Sequence, residues 1–127
     1  MSRAGGHWQE RRRAERRGRL AELAAAWFLR AKGYRILETR WRCRVGEIDL
    51  IALRGNVLVF IEVKLRPDHD AGVIAVTPRN RRRIEAAADQ YLRFRKLSPP
   101  PPCRYDLVTV SGWSLRHHKN AWRSGDN

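Results

Sequence analysis

Apolar residues recur at helical spacing between Leu20 and Ala31. Leu20, Leu23, Ala24, Trp27, Phe28 and Ala31 form one wide stripe. Ala25, Ala26 and Leu29 make the other side nearly apolar too, and Glu22 is the one acid in the stretch. The pattern predicts a helix starting after Trp8 and ending near Lys32, stopped by Gly33. Residues 34–42 read as a strand anchored by Tyr34, Ile36 and Trp41. Residues 46–53 and 57–64 read as two stronger strands. Residues 65–77 read as a loop with Pro67 and Gly72. Thr77-Pro78 is a helix start, with Ile84, Ala87, Ala88, Tyr91 and Leu92 on the core side and arginines on the other. Ser98 and Pro99 to Pro102 form a stiff connector. Tyr105 to Val110 read as a further strand, and Trp113 to His117 as a short edge strand after a Ser111-Gly112 turn.

Gly55-Asn56 is a favoured two-residue hairpin turn, and it fixes a register. Arg54 pairs with Val57, and stepping back places Asp49 opposite Glu62 and Glu47 opposite Lys64. Directly opposed residues share a face, with Cβ atoms about 4.5–5.5 Å apart. A three-residue loop would shift this register by one.

Composition adds a partner. The chain has 127 residues, of which 43% are hydrophobic, enough for one domain with a real core. There are 27 Lys plus Arg against 13 Asp plus Glu, a formal charge of +14, well beyond what solubility requires. Nucleic acid is the first expected partner, ahead of an anionic membrane. Arginines cluster at 11–13, 16, 17 and 19 and again at 79 and 81–83, on either side of the acids Glu47, Asp49 and Glu62 in sequence. No apolar run approaches the roughly 20 residues that span a bilayer. The basic N-terminus is not followed by a signal-peptide core, and Cys43 and Cys103 make no disulfide framework or zinc set. These features give the expectation of a cytoplasmic protein with no membrane association.

The acids supply the chemistry. Two carboxylates about 4 Å apart repel by roughly 4 kcal/mol at an effective dielectric near 20. One must take a proton, or a cation must intervene. Mg²⁺ accepts one or two carboxylates together with water and phosphate oxygens. Held by Asp49 and Glu62, it would polarise a phosphate and acidify an attacking water, with Lys64 on the same face to stabilise developing charge. Glu47 and Glu22 would add outer-shell or second-metal ligation. The plainer alternatives are a Glu47–Lys64 cross-strand ion pair, a solvated Glu22 and a solvated arginine face on the second helix. His7, His69, His117 and His118 lack metal-ligand spacing and default to the surface. The five tryptophans default to core or edge packing, with Trp8 and Trp122 placed near the tails where they could stack on bases.

These residues resemble the YraN-like family of bacterial proteins, related to archaeal Holliday-junction resolvases and to PD-(D/E)xK nucleases. The marks are Gly18-x-x-Ala21-Glu22 with Ala25, Gly33, Gly46-Glu47-Ile48-Asp49-Leu50-Ile51 and Phe60-Ile61-Glu62-Val63-Lys64-x-Arg66. Ala87-Ala88 and Arg104-Tyr105-Asp106 complete them. The resemblance spans about Gly18 to Trp122. It implies an α/β fold with a restriction-endonuclease-like core, a mixed β-sheet flanked by helices in αβββαβ order. Asp49, Glu62 and Lys64 would occupy the nuclease signature positions, and Glu22 would match the acid on the first helix of the resolvase-like branch. Ile48 stands where the motif's name has proline, and Tyr105 where relatives often have phenylalanine. Asn80 stands where they often have lysine, which shifts an expected DNA contact to Arg79 or Arg81.

The resulting expectation is a single nuclease-like domain over residues 11–122, between a disordered tail at 1–10 and a loose tail at 123–127. Its function would be Mg²⁺- or Mn²⁺-dependent endonuclease cleavage of DNA, with branched or structured DNA as substrate by analogy. The catalytic set is Asp49, Glu62, Lys64, Glu22 and Glu47, with Asp49, Glu62 and Glu22 as metal ligands. The nucleic-acid contacts are Arg19, Arg66, Arg79, Arg81, Arg82 and Arg83. DNA ranks ahead of RNA as partner, and a two-fold junction would call for a homodimer, although no residue marks a dimer face. The alternative is a non-catalytic nucleic-acid-binding protein, for DNA or RNA, that retains the nuclease fold.

Overall fold

The computed structural model describes residues 2–125. The elements run α1 (Ser2–Ala31), β1 (Arg35–Cys43), β2 (Gly46–Arg54), β3 (Val57–Leu65), α2 (His69–Ile74), α3 (Pro78–Phe94), β4 (Cys103–Ser111) and β5 (Ser114–Trp122). One mixed five-stranded sheet has the order β1-β2-β3-β4-β5. Only β3 and β4 run parallel, as expected where α2 and α3 cross over between them. The sheet is flanked by helices, as expected. The element order has one more helix and one more full strand than αβββαβ.

Each face of the sheet carries its own core. On one face α1 lays Ala21, Ala25 and Leu29 over Leu50, Val59, Ile61 and Val108. On the other, α3 lays Ile84, Ala87, Ala88 and Tyr91 over Ile48, Ile51, Phe60 and Leu107. The contact face of α1 is therefore the alanine side, not the Leu20–Leu23–Trp27 stripe. Those three side chains are 63%, 54% and 64% exposed. Alanines let the helix axis approach the sheet closely, which bulkier residues would prevent.

Several boundaries also differ from the sequence pattern. The first helix begins at Ser2 rather than after Trp8, so residues 2–10 are helical and not a tail. Arg, Gln, Glu and Ala, all strong helix formers, outweigh Gly5-Gly6 there. Met1 lies outside the described residues. The 65–77 loop contains α2, started by Asp68, whose carboxylate accepts the Ala71 N–H at 2.8 Å. β5 runs five residues past His117. At the C-terminus, Ser124 Oγ and the Gly125 N–H both donate to Glu85 Oε1, at 3.0 and 2.8 Å. Those two residues are tethered, while Asp126 and Asn127 lie outside the described residues. No helix among the described residues is long and apolar enough to cross a membrane.

The elements that position the acids form as read. Gly55 turns the β2–β3 hairpin at φ 61°, and Arg54 pairs with Val57. Thr77 caps α3, its hydroxyl accepting the Asn80 N–H at 3.1 Å, with Pro78 next in line.

Candidate active site

The β2–β3 ladder runs back from the turn as far as Leu50↔Ile61 and then stops. Two residues apart on β2, Ile48 and Leu50 fall in opposite cores, so the strand loses its inside-outside alternation at Asp49. The neighbouring strand is irregular at the same level. Between the pairs Thr39↔Leu50 and Trp41↔Ile48, Arg40 adopts a left-handed φ of 51°. A regular strand would send Asp49 to one face. The break leaves its carboxylate at the parting of β2 and β3, where Oδ2 accepts the Val63 backbone N–H at 2.8 Å.

Glu62, buried to 6% exposure, hydrogen-bonds to Asp49. Burial, and then the hydrogen bond and charge of Glu62, push the Asp49 carboxyl well above the usual carboxylate range. The Val63 N–H and Lys64 pull it partly back. Lys64 Nζ lies 3.4 Å from Glu62 Oε2. The expected meeting of Asp49, Glu62 and Lys64 is therefore present, reached through parted strands rather than a continued ladder.

Glu47 does not face Lys64. With the ladder ended, its partner is Arg42 on β1, at 3.4 Å and largely exposed. Glu22 borders the same cavity as Asp49, Glu62 and Lys64, a space of about 360 Å³. Its carboxylate is engaged elsewhere, accepting from Arg40 Nε at 2.7 Å. Burial raises the Glu22 pKa. The Arg40 hydrogen bond opposes that rise, while the charges of Asp49 and Glu47 add to it. Among the described residues, no group of three or more His, Cys, Asp or Glu stands together as a metal cage. The donors available to a metal are the adjacent pair Asp49 and Glu62, with Glu22 across the cavity.

A second cavity of about 420 Å³ opens on the α3 side, bordered by Arg42, Glu47, Asn80 and Arg83, and by the same Asp49 and Glu62. The carboxylate pair is thus reached from both sides of the sheet end. Of the arginines expected to meet nucleic acid, Arg66 and Arg83 border these two cavities. Arg79 and Arg82 are exposed on α3. Arg81 is half-buried with its guanidinium 5.8 Å from the Trp122 ring, and so is spent on packing. Arg19 lies on the outer side of α1 with Arg12, Glu15 and Arg16. Arg17 borders the carboxylate cavity instead. The signal for it was present: Arg17 stands one helical turn before Ala21 and five residues from Glu22.

The chain is similar to known proteins over most of its length. The family model described as "Uncharacterised protein family UPF0102" matches residues 21–110. The chain belongs to that family. A UPF0102 protein of Maricaulis maris is 48% identical over 119 residues, covering 92% of this chain and 93% of its own. Relatives in Rhizobium johnstonii and Bartonella bacilliformis are 46% and 44% identical over 108 and 110 residues. They cover 85% and 87% of this chain and 88% and 90% of their own. The UPF0102 match contains Glu22, Asp49, Glu62 and Lys64, while Arg17 and the first two-thirds of α1 precede it.

Of the four histidines of this UPF0102 chain, His7 is exposed as expected, while His69, His117 and His118 are drawn in from the surface. His69 is buried, its Nδ1 2.7 Å from Thr109 Oγ1 and its Nε2 2.9 Å from Ser114 Oγ. His118 Nε2 meets the same Thr109 hydroxyl at 3.0 Å. His117 Nε2 bonds Asp106 Oδ2 at 2.7 Å, and Lys32 Nζ reaches His117 Nδ1 at 2.6 Å. Asp106 is fully buried, takes both Arg104 Nε and NH2, and accepts the Asn120 N–H. The long β5 brings these groups in by pairing His117 and His118 with Val108 and Leu107. They tie β5 to β4 and, through His69, to α2, and bond none of the three residues Asp49, Glu62 and Lys64. Trp122 is likewise core, stacked on Tyr105 at 5.3 Å, and does not offer a base platform.

Proposed function

We propose that this protein is a metal-dependent nuclease with a restriction-endonuclease-like core, cutting DNA phosphodiesters. The observation that carries the reading is the Asp49–Glu62 pair beside Lys64 at the parted end of β2 and β3. Two adjacent carboxylates with a raised Asp49 pKa are a charge arrangement that a divalent cation would relieve, and Mg²⁺ accepts this number of protein ligands. The donor set fits Mg²⁺ or Mn²⁺. When bound, such an ion supplies a Lewis acid for the phosphate and a more acidic water. Asp49 and Glu62 would hold it, and the Val63 N–H fixes one oxygen of Asp49 for that task. Lys64, tied to Glu62, stands where it would offset charge building on phosphorus. Arg17 and Arg66, bordering the same cavity, would grip phosphates flanking the reacting one. Access to the pair from both sides of the sheet end suits a distorted or branched strand, the class of substrate that the family resemblance implies by analogy.

A test uses end-labelled four-way junction, flap and linear duplex DNA with Mg²⁺, and again with chelator. The reading requires cleavage of at least one substrate by wild type with Mg²⁺ and none by Asp49→Ala. It fails if wild type cuts nothing that Asp49→Ala leaves intact.

One observation favours the second reading, a nucleic-acid-binding protein without turnover. Glu22 is held by Arg40, which leaves two carboxylates rather than three for a metal. That reading requires salt-sensitive binding that neither chelator nor Asp49→Ala alters.

A further inference from the structure

The first half of α1 stands free of the body. Residues 7–17 are exposed on every side of the helix, and the packed face begins only at Ala21. At about 1.5 Å per residue, the stretch from Ser2 to Arg17 projects roughly 24 Å. Among the described residues, neither core takes a side chain from this stretch, and its composition points outward to a polyanion. Six arginines stand at positions 11–19 against Glu15, with Glu10 just before them.

The inner side of this arm is continuous with the carboxylate cavity. Ala14, Arg17 and Gly18 border that cavity. Ala14 also borders the next recess outward, with His7, Glu10 and Arg11. The two recesses therefore adjoin at Ala14, and a track runs from Asp49 and Glu62 past Arg17 to Arg11. Arg11 and Arg17 have no ion-pair partner among the described residues, whereas Glu10 has His7 Nδ1 at 4.0 Å. Their six-residue separation is about 9 Å of helix rise, or two to three phosphates along one strand. Ala14 between them and Gly18 just past Arg17 keep the wall low, and a Cβ at Gly18 would meet nothing of the protein itself.

We propose that the projecting half of α1 is a nucleic-acid-binding arm whose inner face, through Arg11 and Arg17, holds the phosphate backbone leading away from the carboxylate pair. This rests on the nuclease reading for the identity of the polymer. The arm extends the bound length of strand beyond the cavity and sets the direction in which it leaves.

The test measures duplex affinity across a salt series by fluorescence anisotropy, with Ca²⁺ replacing Mg²⁺ to keep DNA intact. Arg11→Gln/Arg17→Gln is compared with the charge-matched outer-face pair Arg12→Gln/Arg16→Gln, and all are assayed for cleavage with Mg²⁺. Each phosphate contact contributes about 0.9 to the slope of log affinity against log salt. The inner pair should lower that slope by about 2 and weaken binding roughly tenfold at moderate salt. The outer pair should change both by less than half as much. Equal effects from the two pairs overturn the arm, and Asp49-dependent cleavage by wild type would then leave the nuclease reading intact. If wild type neither binds nor cuts nucleic acid, the arm and that reading fall together.

Discussion

Asp49 Oδ2 accepts the Val63 backbone N–H at 2.8 Å, one residue beyond the last rung of the β2–β3 ladder. A carboxylate has taken the place of a strand carbonyl, so the sheet closes over its own split with a charged side chain. Stability has been given up there, since an acid so placed favours its proton.

That loss is measurable. The raised Asp49 pKa means that the folded chain keeps a proton the unfolded chain has released. Stability therefore falls as pH rises from the unfolded carboxylate value, about 3.9, through the higher folded value, and the penalty is complete above it. Asp49→Asn should raise the thermal midpoint of the metal-free protein at neutral pH by roughly 4 °C, taking a gain of order 1 kcal/mol. The gain should vanish below about pH 4. Saturating Mg²⁺ should raise the midpoint of wild type and leave Asp49→Asn unmoved. Calorimetric scans from pH 3 to 8 check all three outcomes.

Arg40 bridges the irregular edge to the first helix. Arg40→Ala leaves Glu22 partly buried without its hydrogen-bond donor, and should cost about 1–2 kcal/mol. Glu22→Gln keeps an acceptor for Arg40 and relieves the charge crowding with Asp49, so it should cost less. Urea titration of the two variants ranks them. An equal or reversed order would mean that Glu22 is not held in place by Arg40.

Gly18 separates a structural role from a functional one. Its Cβ would touch nothing, and alanine is favoured over glycine inside a helix by about 1 kcal/mol. Gly18→Ala should thus be as stable as wild type or up to about 1 kcal/mol more stable. If the bare wall serves a strand passing along it, the same variant should bind DNA several-fold more weakly. Stability and affinity measured together tell the two apart.

On β4, where it pairs with Ile61 and bonds Arg104 and His117 rather than the carboxylates, Asp106 should matter for folding alone. Burial acts to raise its pKa, but His117, Arg104 and the Asn120 N–H outweigh this and hold it below the ordinary carboxylate value. Its stabilisation is present above the unfolded value and is lost as pH falls through the lower folded one. Asp106→Ala strands Arg104 and His117 and should cost about 3 kcal/mol. Cleavage per folded molecule should not change. Activity corrected for the folded fraction, at a temperature below the variant's midpoint, checks this.

Some of this was legible in the chain because single residues dictate local geometry. Gly55-Asn56 set the hairpin register, Thr77-Pro78 set the start of α3, and Ile84, Ala87, Ala88 and Tyr91 marked its buried side. The register put Asp49 opposite Glu62, and the two do meet, though at the parted end of the strands and not across a continued ladder. It misled beyond Leu50, since a strand that changes phase carries no mark of the change in its own pattern. The same misreading put Glu47 against Lys64 rather than Arg42. On α1 both sides are apolar, and periodicity cannot choose between them. Close approach to the sheet favoured Ala21 and Ala25, leaving Leu20, Leu23 and Trp27 outside. The Arg40–Glu22 bond and the histidine network needed the sheet order, and no local signal announces either.

The central claim is that Asp49 and Glu62 form a metal-assisted cleavage centre, and the comparison that tests it most directly is single-turnover strand cleavage with Mg²⁺ by Asp49→Asn and Glu47→Gln. Asp49→Asn keeps the shape and the Val63 hydrogen bond but loses the charge, and should fall at least about 100-fold below wild type. Glu47→Gln loses only an exposed ion pair with Arg42 and should stay within about threefold. Cleavage by Asp49→Asn at the rate of wild type, or no Mg²⁺-dependent cleavage by wild type on any DNA structure, would contradict it.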